Sequence, residues 1–329
     1  MPPAKGGRSD MDNIMIDGLA FALPLFIMAI GGIYSERSGV TMLALEGLQG
    51  FGAFAGAVAV TLMRASLGPE SPALIYIAMV VAMLGGALFS AIHGLLCVHF
   101  KAEQVISGVV VNTLSVAVTI FLTSLINAII TGEASNKFSV GVSPRFTVPG
   151  LSAIPVFGGL FKHMYPFEAA ILVIALFCWY LLYKTRFGLR LRACGENPHS
   201  LDAAGGDVGK TQFTAILICG ALSGLGGIFI TYSVSGVFSP MSYMGYGYLS
   251  IAALIFGNWK VPGSFLVCLF FGFAKSAGYQ LCLSLGMPSN YTDLLLILPY
   301  VLTLLLLIFF SKHNHPPKAV GEIFDKGKR

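Results

Sequence analysis

Long apolar runs recur along almost the whole 329-residue chain, and they constrain its fold more than any other feature. A run of about 18 apolar residues or more can span a bilayer as a helix. Only 11% of the residues are charged, against about 25% in ordinary soluble proteins. The 39 glycines agree with this, because small residues let membrane helices approach closely. The chain is therefore predicted to be an all-α polytopic membrane protein.

The runs predict about nine transmembrane helices. They are 16–35, 40–63, 72–99, 104–130, 167–184, 212–234, 242–258, 262–284 and 291–311. The second is expected to be broken, because it contains polar and glycine-rich sequence. A polar N-terminal tail, 1–15, precedes the transmembrane domain, 16–311. The C-terminal tail, 312–329, is short and polar and is expected to be mobile. The longest loop, 131–166, is expected either to cap a pore or to lie in the membrane interface.

Positive charge predicts the orientation of the chain. One polar loop, about 185–211, holds four cations and follows directly on a fifth, Lys184, and five more follow residue 311. Cytosolic segments carry an excess of Lys and Arg, so both segments are predicted to be cytosolic. Four predicted spans separate the two segments. An even number of spans returns the chain to the same side of the membrane, so the two assignments agree. Counting backwards places the N-terminus outside.

One segment imitates a nucleotide-binding motif. Residues 204–211, AGGDVGKT, fit a relaxed phosphate-loop pattern, in which a buried strand leads through a glycine-rich turn into a helix. Ala204 stands where the first glycine belongs, and no apolar strand precedes it. We predict instead a turn containing Gly205, Gly206 and Gly209 that leads into the next membrane helix.

Few ionisable residues lie inside the predicted spans. Glu46 either lies near a transport pathway or makes a structural hydrogen bond or helix cap, and the second interpretation is favoured. His93 is predicted to be a hydrogen-bonded packing residue. Lys275 either pairs with Asp293 or extends to the interface. So few groups argue against a proton relay. The six cysteines lack metal-ligand spacing and are predicted to be buried, with no metal site.

Aromatic residues cluster around the turn before the seventh predicted span. They are Tyr232, Phe238, Tyr243, Tyr246 and Tyr248. Tyrosines favour membrane interfaces, so the favoured interpretation is an interfacial belt. The alternative is a gate or stacking surface for a planar solute.

Several sequence blocks together resemble a known family. They are GGIYSERSGVTMLALEGLQGFGAFAG (31–56), FGLRLRACGENPHSLDAAGGDVGKTQFTAILICGALSGLGG (187–227), YGYLSIAALIFGNWKVPGSFLVCLFFGFAKS (246–276) and LLLILPYVLTLL (294–305). The chain resembles transmembrane permeases of bacterial ATP-binding-cassette (ABC) importers, in the ribose and branched-chain amino-acid permease superfamily. The resemblance is greatest to the nucleoside, or simple-sugar, branch.

The resemblance implies roles for particular residues. Residues 192–210 correspond to a short cytosolic coupling helix and its flanks, which an ATPase subunit would grip. The pattern positions are Arg192, Gly195, Glu196, Asn197, Ala203, Ala204 and Gly205. The candidates for the translocation pathway are Glu46, Asn112, Tyr243 and Tyr246. The chain departs from the family at 42–44, Met-Leu-Ala instead of the usual Asn-Ile-Gly, and at Gly206, where Ile is common.

The resemblance also implies the function and the partners. The chain is expected to be a transport subunit rather than an enzyme, without a cofactor of its own, since ATP and Mg²⁺ would bind to a partner ATPase. A second, different permease, a substrate-binding lipoprotein and membrane lipid are the other expected partners, and nucleic acid is not. The expected location is the bacterial inner membrane. A nucleoside is the expected solute, with riboflavin or a simple sugar as alternatives. The competing class is an ion-coupled secondary transporter.

Overall fold

The computed structural model describes residues 10–68, 71–141, 145–147, 164–284 and 314–327, and five single residues between 297 and 305. Most of these residues are α-helical, which confirms the all-α prediction. The helices are α1 (Asp10–Glu36), α2 (Leu45–Leu67), α3 (Ala73–Gly94), α4 (Gln104–Thr131), α5 (Pro166–Lys184), α6 (Arg186–Glu196), α7 (Pro198–Ala203), α8 (Val208–Ile230), α9 (Tyr246–Phe256) and α10 (Val261–Ser284). Single π-helical turns extend α3 to His99 and α8 to Ser235.

Seven helices among the described residues are long and apolar enough to cross a membrane: α1 to α5, α8 and α10. The predicted seventh span, 242–258, is corrected, because only the 11 residues of α9 are helical there. Such a helix is about 16 Å long, roughly half of a bilayer core. The predicted ninth span lies almost entirely outside the described residues, as do Asp293 and most of the loop 131–166. The count of nine stays a prediction.

The predicted second span is shifted in the structure. Helix α2 begins at Leu45, not at residue 40, and it runs unbroken to Leu67. Residues 37–44, which contain the polar and glycine-rich sequence, form turns between α1 and α2. Gly39 has a φ of +97°, a conformation that side chains disfavour, so the chain can turn there.

Glycines hold the centre of the bundle together where α2, α3 and α8 meet. A Cβ atom on Gly52 would lie 2.2 Å from the Cα atom of Gly224, and one on Gly86 would lie 2.2 Å from the carbonyl oxygen of Gly220. These distances leave no room for a side chain, so the three backbones are in direct contact. Small residues at helix crossings are typical of membrane bundles.

A short hairpin-like ladder closes the end of the bundle opposite α6 and α7. Strand β1 (Phe138–Ser139) pairs antiparallel with β2 (Val237–Phe238), with Phe138 opposite Phe238. Both phenylalanine rings are buried, and the ring centroid of Phe54 lies 6.3 and 6.0 Å from theirs. The ladder thereby ties the loop after α4 to the loop before α9.

The C-terminal segment 314–327 is packed against the rest of the protein, which corrects the prediction of a mobile tail. The backbone N–H of Ala319 donates to the carbonyl of Gly195 at 2.9 Å, and that of Gly321 donates to Gly39 at 3.1 Å. Pro317 and Ala319 are buried. The segment has no long apolar run, and the backbone hydrogen bonds that hold part of it leave no pattern in the sequence.

Candidate functional site

The predicted coupling loop contains two helices rather than one. The Thr185 hydroxyl accepts from the backbone N–H of Gly188 and caps α6. The Asn197 side chain accepts from the N–H of Ser200 at 3.1 Å and caps α7, which begins with Pro198. Such caps fix where each helix starts. The segment 185–207 is therefore a rigid helical elbow, which we call the α6–α7 elbow.

The residues predicted to contact an ATPase divide into two groups. Glu196, Asn197, Ala203, Ala204 and Gly205 are exposed along one edge of the elbow.

Arg192 and Gly195 instead belong to the inner side of the elbow. The Arg192 guanidinium lies over the Tyr183 ring, 5.5 Å from its centroid. Gly195 is buried, and a Cβ atom there would lie 2.3 Å from the carbonyl oxygen of Arg37. These two residues contact the bundle, and their predicted coupling role stays a prediction.

Arg37 connects the elbow to the turn between α9 and α10. Its guanidinium lies 3.6 Å from the Glu196 carboxylate, and it donates to the carbonyl of Trp259 at 3.1 and 3.2 Å. The Trp259 indole N–H in turn donates to the buried Glu36 carboxylate at 2.5 Å. We call Glu36, Arg37, Glu196 and Trp259 the junction. Sequence analysis missed it, although the charged pair Glu36-Arg37 at a helix end was a visible signal.

Residues 204–211, which imitate a phosphate loop, overlap the end of the α6–α7 elbow and continue into α8. Gly205 has a φ of +77° and Gly206 packs on Leu201, so the predicted turn is confirmed at these two residues. Gly209 is corrected, because it lies inside α8. The Asp207 carboxylate accepts from the backbone N–H of Lys210 at 2.9 Å and caps α8. This hydrogen bond lowers the pKa of Asp207 and occupies an N–H that a phosphate loop would direct at its ligand.

The C-terminal segment covers the elbow from the other side. The Phe324 ring lies 5.1 Å from the His199 ring and packs on the small cluster of Cys194, Leu201 and Val208. The Lys326 ammonium lies 3.2 Å from the Asp202 carboxylate. Burial raises the pKa of the Cys194 thiol to about 12.

The four pathway candidates lie together where α2 and α9 both begin. The Glu46 carboxylate accepts from the backbone N–H groups of Gly245 and Gly247, the second at 2.8 Å. The favoured structural interpretation of Glu46 is confirmed, with the difference that it caps α9 and not its own helix. An anion at a helix N-terminus satisfies free N–H groups and matches the helix dipole.

Asn112 and Tyr243 complete this contact. The Asn112 amide oxygen accepts from the N–H of Gly47 at 2.7 Å, and its amide nitrogen donates to the carbonyl of Leu43 at 2.8 Å. The Tyr243 side chain is fully buried and its ring lies on Gly50, where no Cβ would fit. Asn112 and Tyr243 therefore hold α2, α4 and the segment before α9 together.

The aromatic belt prediction is wrong for four of its five members. Tyr232, Phe238, Tyr243 and Tyr246 are each 7% exposed or less, so they belong to the core. Tyr248 is 49% exposed, and its hydroxyl accepts from the Asn112 amide at 3.2 Å.

Two further polar predictions can be compared with the structure. His93 is fully buried and its Nδ1 atom lies 2.9 Å from the Ser107 hydroxyl, which confirms its packing role. The Lys275 ammonium donates to the Tyr246 hydroxyl and lies 4.7 Å from the centroid of the Phe21 ring. Lys275 is thus held between Phe21 and Tyr246, and its predicted pairing with Asp293 lies outside the described residues. All six cysteines are buried and free, as predicted.

Comparison with known proteins identifies the family. Residues 14–309 match the family described as branched-chain amino acid transport system / permease component. The chain is 37% identical to the guanosine ABC transporter permease protein NupQ of Bacillus subtilis, over 94% of this chain and 96% of the relative. It is 35% identical to the nucleoside ABC transporter permease protein NupC of Lactococcus lactis, over 96% and 97% of the two chains.

A more distant relative agrees with this assignment. The ribose import permease protein RbsC of Escherichia coli is 27% identical over 73% of this chain and 69% of its own. No solved structure matches the chain. The similarity to permeases covers nearly the whole sequence, and the structure has the membrane-spanning helices that such a protein needs. The chain therefore belongs to the branched-chain amino acid transport system / permease component family of multi-pass membrane proteins.

Proposed function

We propose that this chain is one permease subunit of an ABC importer that carries a nucleoside across the bacterial inner membrane. The observation that carries the proposal is the similarity over nearly the full length to the guanosine and nucleoside permeases. Hydrolysis of ATP would take place in a partner subunit, and a binding lipoprotein would deliver the solute. A second permease of different sequence would complete the pore.

The exposed edge of the α6–α7 elbow is the proposed docking surface for the ATPase. It presents Asn197, Ala203, Ala204 and Gly205 to the solvent on a capped, rigid support. A rigid element transmits a displacement better than a flexible loop. The elbow and the C-terminus would both be cytosolic, which agrees with the excess of Lys and Arg in both segments.

The junction would carry the displacement from the elbow into the membrane. Arg37 binds both Glu196 on the elbow and the Trp259 carbonyl beside α9. The other end of α9 is held by Glu46 at the start of α2. Helix α9 would therefore link the docking surface with the cluster of pathway candidates.

Uptake into proteoliposomes tests the proposal. The transporter is purified from native membranes with its partners, reconstituted with ATP enclosed on the ATPase side, and offered radiolabelled guanosine, uridine, ribose or riboflavin. We expect accumulation of nucleosides that requires ATP. Uptake of ribose or riboflavin alone would reassign the solute, and concentrative uptake without ATP would identify a secondary transporter. Riboflavin stays an untested alternative until then.

A matched pair of variants tests the docking surface. Ala203→Arg places a bulky cation on the exposed edge of the elbow, and we expect the ATPase subunit to dissociate during purification. Ala134→Arg makes the same change on an exposed loop at the opposite end of the bundle and should leave the complex intact. Retention of the ATPase by Ala203→Arg would contradict the assignment of the surface.

A further inference from the structure

A cavity of about 310 Å³ lies beside the start of α9, between α1, α5 and α10. Its lining includes Phe21, Tyr165, Tyr246, Lys275 and Tyr279. Of the four pathway candidates, Tyr246 alone borders this cavity. The size is at the lower end of the range of small-molecule sites in proteins, which starts at about 300 Å³. The cavity combines aromatic faces with one cation, Lys275, and one carboxylate, Asp17.

Lys275 is the residue that needs an explanation. It lies 14 residues after Val261, the start of α10, and so about 21 Å along the helix. None of the ion pairs seen among the described residues involves its ammonium, although the Asp17 carboxylate lines the same cavity. An ammonium has three N–H donors, and only the Tyr246 hydroxyl accepts one of them. The part of the chain that the structure describes offers no hydrogen-bond acceptor to the remaining donors, which face the cavity.

The aromatic rings hold the ammonium in place without neutralising it. The Lys275 Nζ atom lies 4.0 Å from the centroid of the Tyr246 ring and 4.7 Å from that of Phe21. Cation–π contacts of this kind stabilise a desolvated cation by about 2 kcal/mol. Charged residues within membrane spans face the protein interior or a water-filled cavity, since exposure to lipid is costly. Lys275 accordingly directs its ammonium into the cavity.

We infer that this cavity is a binding site for a nucleobase, in which Lys275 donates a hydrogen bond to a ring carbonyl oxygen. The inference rests on the proposed function and adds the recognised group. Tyr279, which is 42% exposed at the edge of the cavity, offers a ring face for stacking against the planar base. A carbonyl oxygen accepts hydrogen bonds without requiring a negative charge on the solute. The site thus distinguishes bases that carry a carbonyl group on the ring edge away from the sugar from bases that lack this group.

Binding can be measured by protection of an introduced cysteine. The native cysteines are buried, so Ser233→Cys adds a thiol to the lining of the cavity and leaves Lys275 and Tyr279 in place. In the reconstituted transporter we expect inosine to slow maleimide labelling of this thiol. A control thiol, Met241→Cys, is 64% exposed before α9 and outside the cavity lining, and its labelling should not respond to inosine. Absence of protection at residue 233 would overturn the inference.

Uptake measurements identify the recognised group. Inosine has a ring carbonyl, and purine riboside has hydrogen in its place. We expect Lys275→Met to raise the KM for inosine by roughly 10- to 100-fold, which corresponds to the loss of one hydrogen bond to a charged group. The KM for purine riboside should change little. An equal change for both solutes, or no change, would refute the role of Lys275.

Controls separate this inference from the proposed function. Lys137→Met removes an exposed cation from the loop before β1 and should leave both KM values unchanged. If the unmodified transporter takes up no nucleoside, the proposed function fails. If it takes up nucleosides, and Lys275→Met changes the KM values for inosine and purine riboside equally or not at all, only the inference about the cavity fails. Should Lys275→Met not insert, Tyr279→Ala against Tyr279→Phe tests stacking, and equal KM values for the two would overturn the site.

Discussion

Replacing Gly195 by alanine tests whether the elbow is held rigidly by the bundle. The added Cβ atom would lie 2.3 Å from the carbonyl oxygen of Arg37, and backbone atoms yield less easily than side chains. Overpacking costs about 1–3 kcal/mol, and we take the upper end because the obstacle is backbone. Alanine gains about 1 kcal/mol of helix propensity over glycine in α6. The expected net loss of stability is about 2 kcal/mol.

The matched control is Gly209→Ala, the same chemical change 14 residues later in the chain. A Cβ atom there would have Val98 as its nearest neighbour, at an ordinary contact distance of 3.5 Å. Gly209 lies inside α8, so this variant gains helix propensity without a collision. We expect Gly209→Ala to be as stable as the parent protein or slightly more stable.

Thermal unfolding of the complex in nanodiscs gives the stability, and ATP hydrolysed per solute transported gives the coupling. Gly195→Ala should unfold about 4 °C or more below the parent protein. It should also hydrolyse more ATP per solute, because separating α6 from Arg37 lengthens the contact between Arg37 and Glu196. Equal unfolding temperatures for the two variants would refute the packing argument. Unchanged ATP use in a destabilised Gly195→Ala would refute the coupling argument.

Three other perturbations have defined outcomes. Trp259→Phe removes the indole N–H that donates to Glu36 and leaves a buried carboxylate oxygen without that partner, so it should destabilise the protein by about 1–3 kcal/mol in thermal unfolding. Cys194 should not react with maleimide at pH 7, since burial raises the pKa of its thiol to about 12 and keeps it protonated. Mildly alkaline pH should not start the labelling, because the thiol is covered as well as protonated. Removal of residues 314–329 uncovers the Phe324 contact, so Cys194 should then become accessible and α7 should exchange amide hydrogens faster.

Hydrophobicity predicted the membrane helices because their apolar runs are long and uninterrupted. Hydrophobicity did not predict where α9 begins, because residues 242–245 are similar in composition to the helix that follows them. The difference is conformational: Gly245 has a φ of +91°, so the helix cannot extend backwards through it. Hydrophobicity reports the environment of a residue, and a buried irregular segment has the same composition as a buried helix.

The sequence indicated which residues belong to the candidate site, but it did not indicate which partners these residues contact. A carboxylate at membrane depth identified Glu46, and the structure satisfies it with the N–H groups of a distant helix. No local pattern indicates that partner, since 199 residues separate Glu46 from Gly245. The junction shows the same limit, because Arg37 and Trp259 meet across 222 residues.

Two buried acids hold the two ends of α9, and this arrangement explains why so short a helix is stable in the bundle. An isolated 11-residue helix is marginal in water, and in a membrane its free terminal N–H and C=O groups would be costly. Glu46 accepts two of the N–H groups at the start. At the other end, Glu36 binds the Trp259 indole and fixes the turn that follows α9. Because Glu36 ends α1 and Glu46 lies in the first turn of α2, the two acids flank the turns 37–44, and a joint shift of these helix ends relative to α10 must move both ends of α9 together.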